Sequence, residues 1–284
     1  MNLLQVLAIG VGLAGYYALV AVGFALIFAT LRIFHIAHGT VFITAGYLFF
    51  WLHRSYGLDA FLSGAVSISI ASILGLAIDK LIYLPVMRRG GGLFSVFIAS
   101  LGVSLIFEAG YLIATRGVVS VARTDSLQIL SAGPVAVRSL DIGVMVLVAV
   151  VFGLLYLWIH RTKIGLEIRG LTDNAPLAGV VGVNVDRTRN GIFLVASALA
   201  ALAGVLTSYD MGINPDTGTR TLFVAVVAVI LGGVRNILLG TLVGSLALGI
   251  LTAYAGFFFP EWVTFSVFAM MILLILVRPQ GLFG

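Results

Sequence analysis

The chain has 284 residues, of which 61% are hydrophobic and 10% charged. Soluble domains carry about 25% charged residues, so a water-soluble fold is excluded, and repeated apolar runs of about 20 residues imply a polytopic membrane protein. The formal charge is +5, but the bases stand singly between apolar runs. That pattern orients helices in a lipid bilayer and leaves no phosphate-tracking surface, which excludes nucleic acid as a partner. With no cysteine, the chain has neither disulfides nor thiolate metal ligands.

The first run, 3–31, opens MNLLQVLAIGVGLAG without a basic segment or a clear cleavage site, and reads as a retained first helix. His35 and His38 follow, spaced i, i+3, where the chain turns toward the next run, 39–52. Zinc wants three or four ligands, and no carboxylate or thiol lies nearby in sequence, so hydrogen bonding at the turn is their expected role and no metal site is assigned. The third run, 60–86, contains Asp79-Lys80. Adjacent residues point in different directions on a helix, so Lys80 is expected to snorkel to the interface and Asp79 to find a partner elsewhere.

The fourth run, 93–114, carries Glu108 after the uncharged stretch 94–107. Insertion scales put an acid at a membrane-helix centre at about 2.5–3.5 kcal/mol of cost. Two roles follow: a pathway group or proton carrier, or a near-interface acid held by a neighbouring helix. Its position six residues before Ala114 favours the second. The long connection 115–140 precedes the run 141–160, and later runs span 189–209, 221–234, 237–259 and 262–277. Crossing a core of ~30 Å takes ~20 helical residues, so 39–52 and 221–234 are short and either cross as broken helices or re-enter. The expectation is an all-α membrane protein with eight or nine transmembrane helices. INPDTG (213–218) reads as a turn.

Small residues recur four apart, as Ser197 with Ala201, Ala200 with Gly204, and Gly240 with Gly244. That spacing lets backbones approach where lipid offers no hydrophobic drive for association.

The stretch KIGLEIRGLTDNAPLAGVVGVNVDRTRN (163–190) is the polar exception. Asn174 is placed to cap a short helix whose first turn holds Pro176, where a missing N–H costs nothing. Leu177, Val180 and Val181 fall on one face, and Gly182 stands where a glycine ends a helix. A two-turn helix over 175–181 is too short to be stable alone and needs a surface. A membrane-surface helix, a connector and a protein-docking element all fit the pattern. Asp186 is expected to cap the next helix, with Arg187 and Arg189 at the headgroups. If this stretch is cytoplasmic and all nine runs cross, only Arg54, Arg116, Arg123, Arg138 and Arg220 face outward, a positive-inside bias. The N-terminus is then outside and the C-terminus cytoplasmic, with 116–140 and 213–218 as an outer landing surface.

This polar stretch resembles the coupling loop of ABC importer permeases, and more narrowly that of the Liv-type branched-chain amino acid permeases. Asn174, Ala175-Pro176, Ala178, Gly182-Val183-Asn184-Val185 and Arg187 carry the match. LRIFHIAHG (31–39), IASLGVSLIFE (98–108), VILGGVRNILLGTLVG (229–244) and the terminal VRPQGLFG agree with the family in the same order. The third of these includes a Gly232-Gly233 turn before the glycine-spaced helix. The resemblance implies a single permease domain over 1–284 with a coupling loop at about 161–188. It also implies a second Liv-type permease subunit, two cytoplasmic ABC ATPase subunits and an extracytoplasmic substrate-binding protein, in the inner membrane of a prokaryote.

ATP and Mg would sit on the ATPases, since this chain has no GxxxxGK[ST] phosphate loop and binds no cofactor itself. Small neutral amino acids are the implied cargo, moved by alternating access. The family usually has Asn at His35, often an acid at Thr40 and usually Gln at Glu108, whereas His38-Gly39 matches. These departures leave urea, amides and small aromatic or carboxylate cargo open. A proton-coupled secondary carrier using Glu108 is the other transporter reading; its uptake would survive loss of ATP and collapse with the proton gradient. An intramembrane enzyme is disfavoured, because no serine has an identifiable base partner.

Overall fold

A computed structural model describes residues 2–122, 128–132, 135–234, 236–278 and 281–282. Helix α1 spans Leu3–Leu31. Helix α2, His38–Phe50, is prolonged by a π-helical turn, Trp51–Ser55. Helix α3, Ala60–Ile78, runs through a second π-helical turn, Asp79–Tyr83, into α4, Leu84–Arg88. Next come α5, Leu93–Thr115, the strands β1, Ile129–Ala132, and β2, Val135–Arg138, and then α6, Ser139–Arg161. The chain continues as α7, Lys163–Val180, α8, Val185–Asp210, α9, Thr217–Gly232, α10, Ile237–Phe258, a 3-10 turn, Pro260–Trp262, and α11, Val263–Val277.

Among the described residues, six helices are long and apolar enough to cross a membrane: α1, the continuous α3–α4 rod, α5, α6, α8 and α10. Two shorter apolar helices are Thr217–Gly232 and Pro260–Leu273. The apolar runs read from the sequence coincide with these helices to within a few residues. Run 39–52 extends further than expected, through Ser55. Two elements had no sequence signal. Residues 163–173 are helical, started by Thr162, whose side chain accepts from the Gly165 N–H at 3.0 Å. The connection after α5 contains the antiparallel β1–β2 hairpin.

The chain forms two compact units, residues 1–25, 124–157 and 223–284 in one, and 26–123 and 158–222 in the other. In the first, backbone packs directly on backbone. A Cβ on Gly232 would lie 1.8 Å from the Gly240 carbonyl oxygen, and one on Gly244 2.0 Å from that of Ala228. Gly233, φ +85, makes the turn between α9 and α10. The hairpin is fastened to α1 by Gln5, which donates to the Ala136 carbonyl and accepts from its N–H, both at 2.7 Å. Arg138 binds Asp141 at 2.9 and 2.5 Å.

In the second unit, α2, α3 and α8 pack together. Ala200 is fully buried, and a Cβ on Gly204 would sit 2.1 Å from the Phe42 carbonyl oxygen. Arg189 corrects an expectation. It is not at the headgroups but 6% exposed, with Nε 3.0 and 2.9 Å and Nη2 2.5 Å from the carboxylate of Asp79. The Phe193 ring lies 5.7 Å away. An acid on one helix with no neighbour in sequence finds its base on another helix, because neither charge is tolerated alone in an apolar interior. Asp186 is likewise not the cap of α8. Asn184 is, accepting from the Arg187 N–H at 3.0 Å, and Asp186 falls in the first turn. The preceding helix ends early enough to bring Asn184 into position.

Replacing Asp79 with Asn leaves the Arg189 charge buried and unpaired. The expected loss is about 3–5 kcal/mol, read as a lower thermal midpoint in detergent, with Asp79→Leu/Arg189→Met recovering most of it.

Candidate functional site

Two places in the second unit gather the residues singled out by the sequence. The first is the end of α7. The helix breaks at Asn174 (φ −156, ψ 93), where Oδ1 accepts from the Leu177 N–H at 3.0 Å. The break restarts the helix with Pro176 in its new first turn, a position where proline loses nothing. At the far end, the Val183 N–H reaches the Ala178 carbonyl at 3.0 Å and the Gly182 N–H reaches that of Gly179 at 3.2 Å. Gly182 has φ +93. These two bonds and the left-handed glycine make a Schellman ending.

The short helix therefore has a defined start and stop within seven residues of chain. Ala178 is buried on the inner side, whereas Leu177, Val180 and Val181 are 56%, 84% and 71% exposed. An apolar stripe is thus turned outward on a segment of otherwise polar chain. The first part of α7 is tied to α8 through Glu167 Oε2, which accepts from Thr188 Oγ1 at 2.6 Å.

The second place is a polar recess where the first turns of α2 and α9 cross. Gly39 and Gly218 form the crossing. A Cβ on Gly39 would lie 2.6 Å from the Gly218 carbonyl oxygen, and one on Gly218 2.4 Å from that of Gly39. Glu108, from α5, reaches this crossing and accepts from Thr219 Oγ1 at 2.7 Å. Thr40, Ile43, Ser104 and Pro215 complete the wall. Thr40 is 1% exposed and its hydroxyl has no hydrogen-bond partner. The recess has no room for a water molecule in the conformation seen. Both walls are helix N-terminal turns, whose N–H groups carry partial positive charge, and the acid stands against them.

His35 and His38 lie beside this region rather than in it. Their rings are 5.5 Å apart, edge to face. Tyr83 donates to Ser100 Oγ at 2.7 Å, and so accepts from His35 Nδ1 at 2.8 Å. The Ala37 N–H, which precedes α2, donates to the same Ser100 oxygen at 2.9 Å. His35 thus belongs to a hydrogen-bonded junction, with the His38 ring packed against it. Among the described residues, no three His, Asp or Glu side chains are grouped as metal ligands would be.

The proposed outer surface is more ordered than its composition suggests. Ser120 and Ile213 exchange backbone bonds of 2.8 and 2.9 Å, and the Ala122 N–H reaches the Ser208 carbonyl at 3.0 Å. Arg138 is engaged by Asp141, and Arg220 by Asp216 at 2.5 Å. Arg116 ends α5 in the left-handed region, φ 54. Arg123 and Arg235 lie outside the described residues.

Sequence reading reached Thr40 and Glu108 but not Ser104, Pro215, Gly218 or Thr219. Ser100, Ser104 and Glu108 stand four apart, a polar stripe on α5 that periodicity alone could have found. Thr219 had no such signal, being 111 positions from the acid it binds.

The architecture is that of a polytopic all-helical membrane protein with an exposed apolar stripe on a short helix and a polar recess among its helix ends. The family model described as "Branched-chain amino acid transport system / permease component" matches residues 6–276, and the chain belongs to that family. LivH of Escherichia coli K12, a high-affinity branched-chain amino acid transport system permease protein, is 30% identical over 99% of this chain and 95% of its own length. The ribose import permease RbsC of the same organism is 27% identical over 66% of this chain and 59% of its own. Among solved structures, PsaBC from Streptococcus pneumoniae in complex with Fab aligns with a TM-score of 0.53 at 16% identity, covering 99% and 93% of the two chains. That last likeness concerns the fold.

Gly39→Ala forces two helix backbones apart and should lower stability by about 1–3 kcal/mol, measured as a reduced thermal midpoint and reduced yield of monodisperse protein. Gly64→Ala serves as the control, since its Cβ meets only Val205 at 3.7 Å.

Proposed function

We propose that this chain is one of two membrane subunits of an ABC importer that moves small neutral amino acids, of the branched-chain class, into the cytoplasm by ATP-driven alternating access. A second, similar permease completes the pathway, two ABC ATPases bind the cytoplasmic face, and a substrate-binding protein delivers cargo outside. Residues 1–284 act as one permease domain in a prokaryotic inner membrane, with the N-terminus outside and the C-terminus inside. The chain itself is not an enzyme; ATP and Mg belong to the ATPases.

The observation that carries this most directly is the family match over residues 6–276, taken with the exposed stripe of the 175–180 helix. Such a helix suits insertion into a groove on a partner. ATPase closure would push on Leu177 and Val180, the push passing to α8 through Glu167 and Thr188. Coupled transport needs the cargo to interact differently with the inward and outward states.

Tagged protein drawn gently from its native membrane should bring two ATPases and a second permease, identified by mass spectrometry. Intact protein recovered repeatedly alone would overturn the importer role and favour the proton-coupled carrier. Leu177→Asp and Val180→Asp should each reduce ATP-driven leucine uptake at least about tenfold while the protein still inserts. Wild-type uptake in those variants would remove the docking assignment. A cargo screen with the binding protein separates branched-chain amino acids from urea, amides and small carboxylates.

A further inference from the structure

Given the amino-acid permease role proposed above, we infer that the recess under Glu108 is a subsite for the charged headgroup of a zwitterionic α-amino acid.

Three features of the recess argue for that ligand class. The first is the carboxylate of Glu108. Its Oε2 is engaged by Thr219, and a carboxylate has acceptor capacity beyond one bond, so it can also receive an ammonium group. The second is the Thr40 hydroxyl, 1% exposed, without a partner, and lining the same space. A buried polar atom left unbonded costs about 1–3 kcal/mol, and a hydrogen-bonding ligand removes that cost. The third is the pair of first turns, α2 at Gly39-Thr40 and α9 at Gly218-Thr219. The Gly39 N–H is taken by the Ile36 carbonyl at 3.1 Å, so it is the positive ends of the two helix dipoles that suit an anion, such as the carboxylate of the same ligand.

Glu108 on α5 thus supplies negative charge and the two helix starts partial positive charge, around a recess that must open to admit even the headgroup. A lone cation would meet the helix ends unfavourably, and a lone anion would meet Glu108. A zwitterion matches both. The side chain stays outside, which fits a site that accepts several amino acids. Because the recess is closed in the conformation seen, the headgroup enters only when α2, α5 and α9 separate. Occupancy is therefore tied to one conformational state, as transport requires.

The test is equilibrium binding of radiolabelled leucine to the purified intact transporter without its binding protein. Wild type should bind leucine saturably. Isopentylamine, which lacks the carboxylate, and 4-methylpentanoate, which lacks the amine, should each compete at least about tenfold more weakly. Glu108→Leu should weaken leucine about tenfold or more and Thr40→Val about threefold, whereas Glu108→Gln, the residue usual in the family at this position, keeps an acceptor oxygen and retains binding, and Thr40→Ser restores the affinity. Thr40→Val is nearly isosteric and keeps the question answerable if Glu108→Leu does not fold.

The proposal is overturned by absence of saturable leucine binding, by unchanged affinity in both Glu108→Leu and Thr40→Val, or by either half-analogue competing as well as leucine. ATP-dependent leucine uptake by wild-type membrane vesicles, measured in parallel, separates the two levels. Uptake with any of those overturning results removes the recess alone. No uptake of any branched-chain amino acid removes the cargo assignment beneath it.

Discussion

The ion pair between Asp79 and Arg189 fixes where the α3–α4 rod meets α8 in the second unit. Neither charge is tolerated alone in a membrane interior, so α3 and α8 must meet at this point. The acid of the pair opens the π-helical turn Asp79–Tyr83, and π turns cluster at functional positions in helices. At one end of that turn Asp79 binds Arg189 of α8. At the other, Tyr83 bonds His35 and Ser100, and Ser100 holds the Ala37 N–H just before α2. One residue before Arg189, Thr188 bonds Glu167 of α7. The first part of α7, the buried pair, the π turn and the start of α2 are thus joined by consecutive contacts. Under the proposed function, displacement of α7 has a material route to the helix end that forms the recess.

Glycine supplies the complementary constraint. Where helices touch backbone to backbone, at Gly39 with Gly218 and at Gly232 with Gly240, the separation is set by absence of side chains rather than by packing of large ones. Small-residue contacts suit a bilayer, in which apolar side chains gain little by leaving lipid. At the Gly39–Gly218 crossing they also place two helix N-termini side by side, and Glu108 is the acid that such a crossing accommodates. The carboxylate is neither stranded in lipid nor freely solvated; Thr219 anchors one oxygen.

Local features of the candidate sites were legible in one dimension because they depend on neighbours within four residues. Asn174 as a cap, Pro176 in a first turn and Gly182 as a stop all follow from hydrogen-bond needs at helix ends, and α7 folds accordingly. The outward direction of Leu177 and Val180 is not local. It depends on Ala178 being the residue that turns inward. Arg189 illustrates the opposite case, since its spacing from Arg187 suggested a headgroup position and only its partner 110 residues away put it in the interior.

The sequence by itself determined the class of protein and the apolar helices, because hydropathy in a bilayer acts residue by residue along a span. It also determined the cap at Asn174 and the stop at Gly182, but neither the helix over 163–173 nor the cap of α8 at Asn184. Only the tertiary structure decided which charges are paired, that the 129–138 stretch pairs as a hairpin, and that Thr40, Glu108 and Thr219 share one recess. Those outcomes depend on contacts between segments far apart in the chain, where no periodicity or spacing rule operates, and on close glycine crossings whose partners are fixed only when the helices pack.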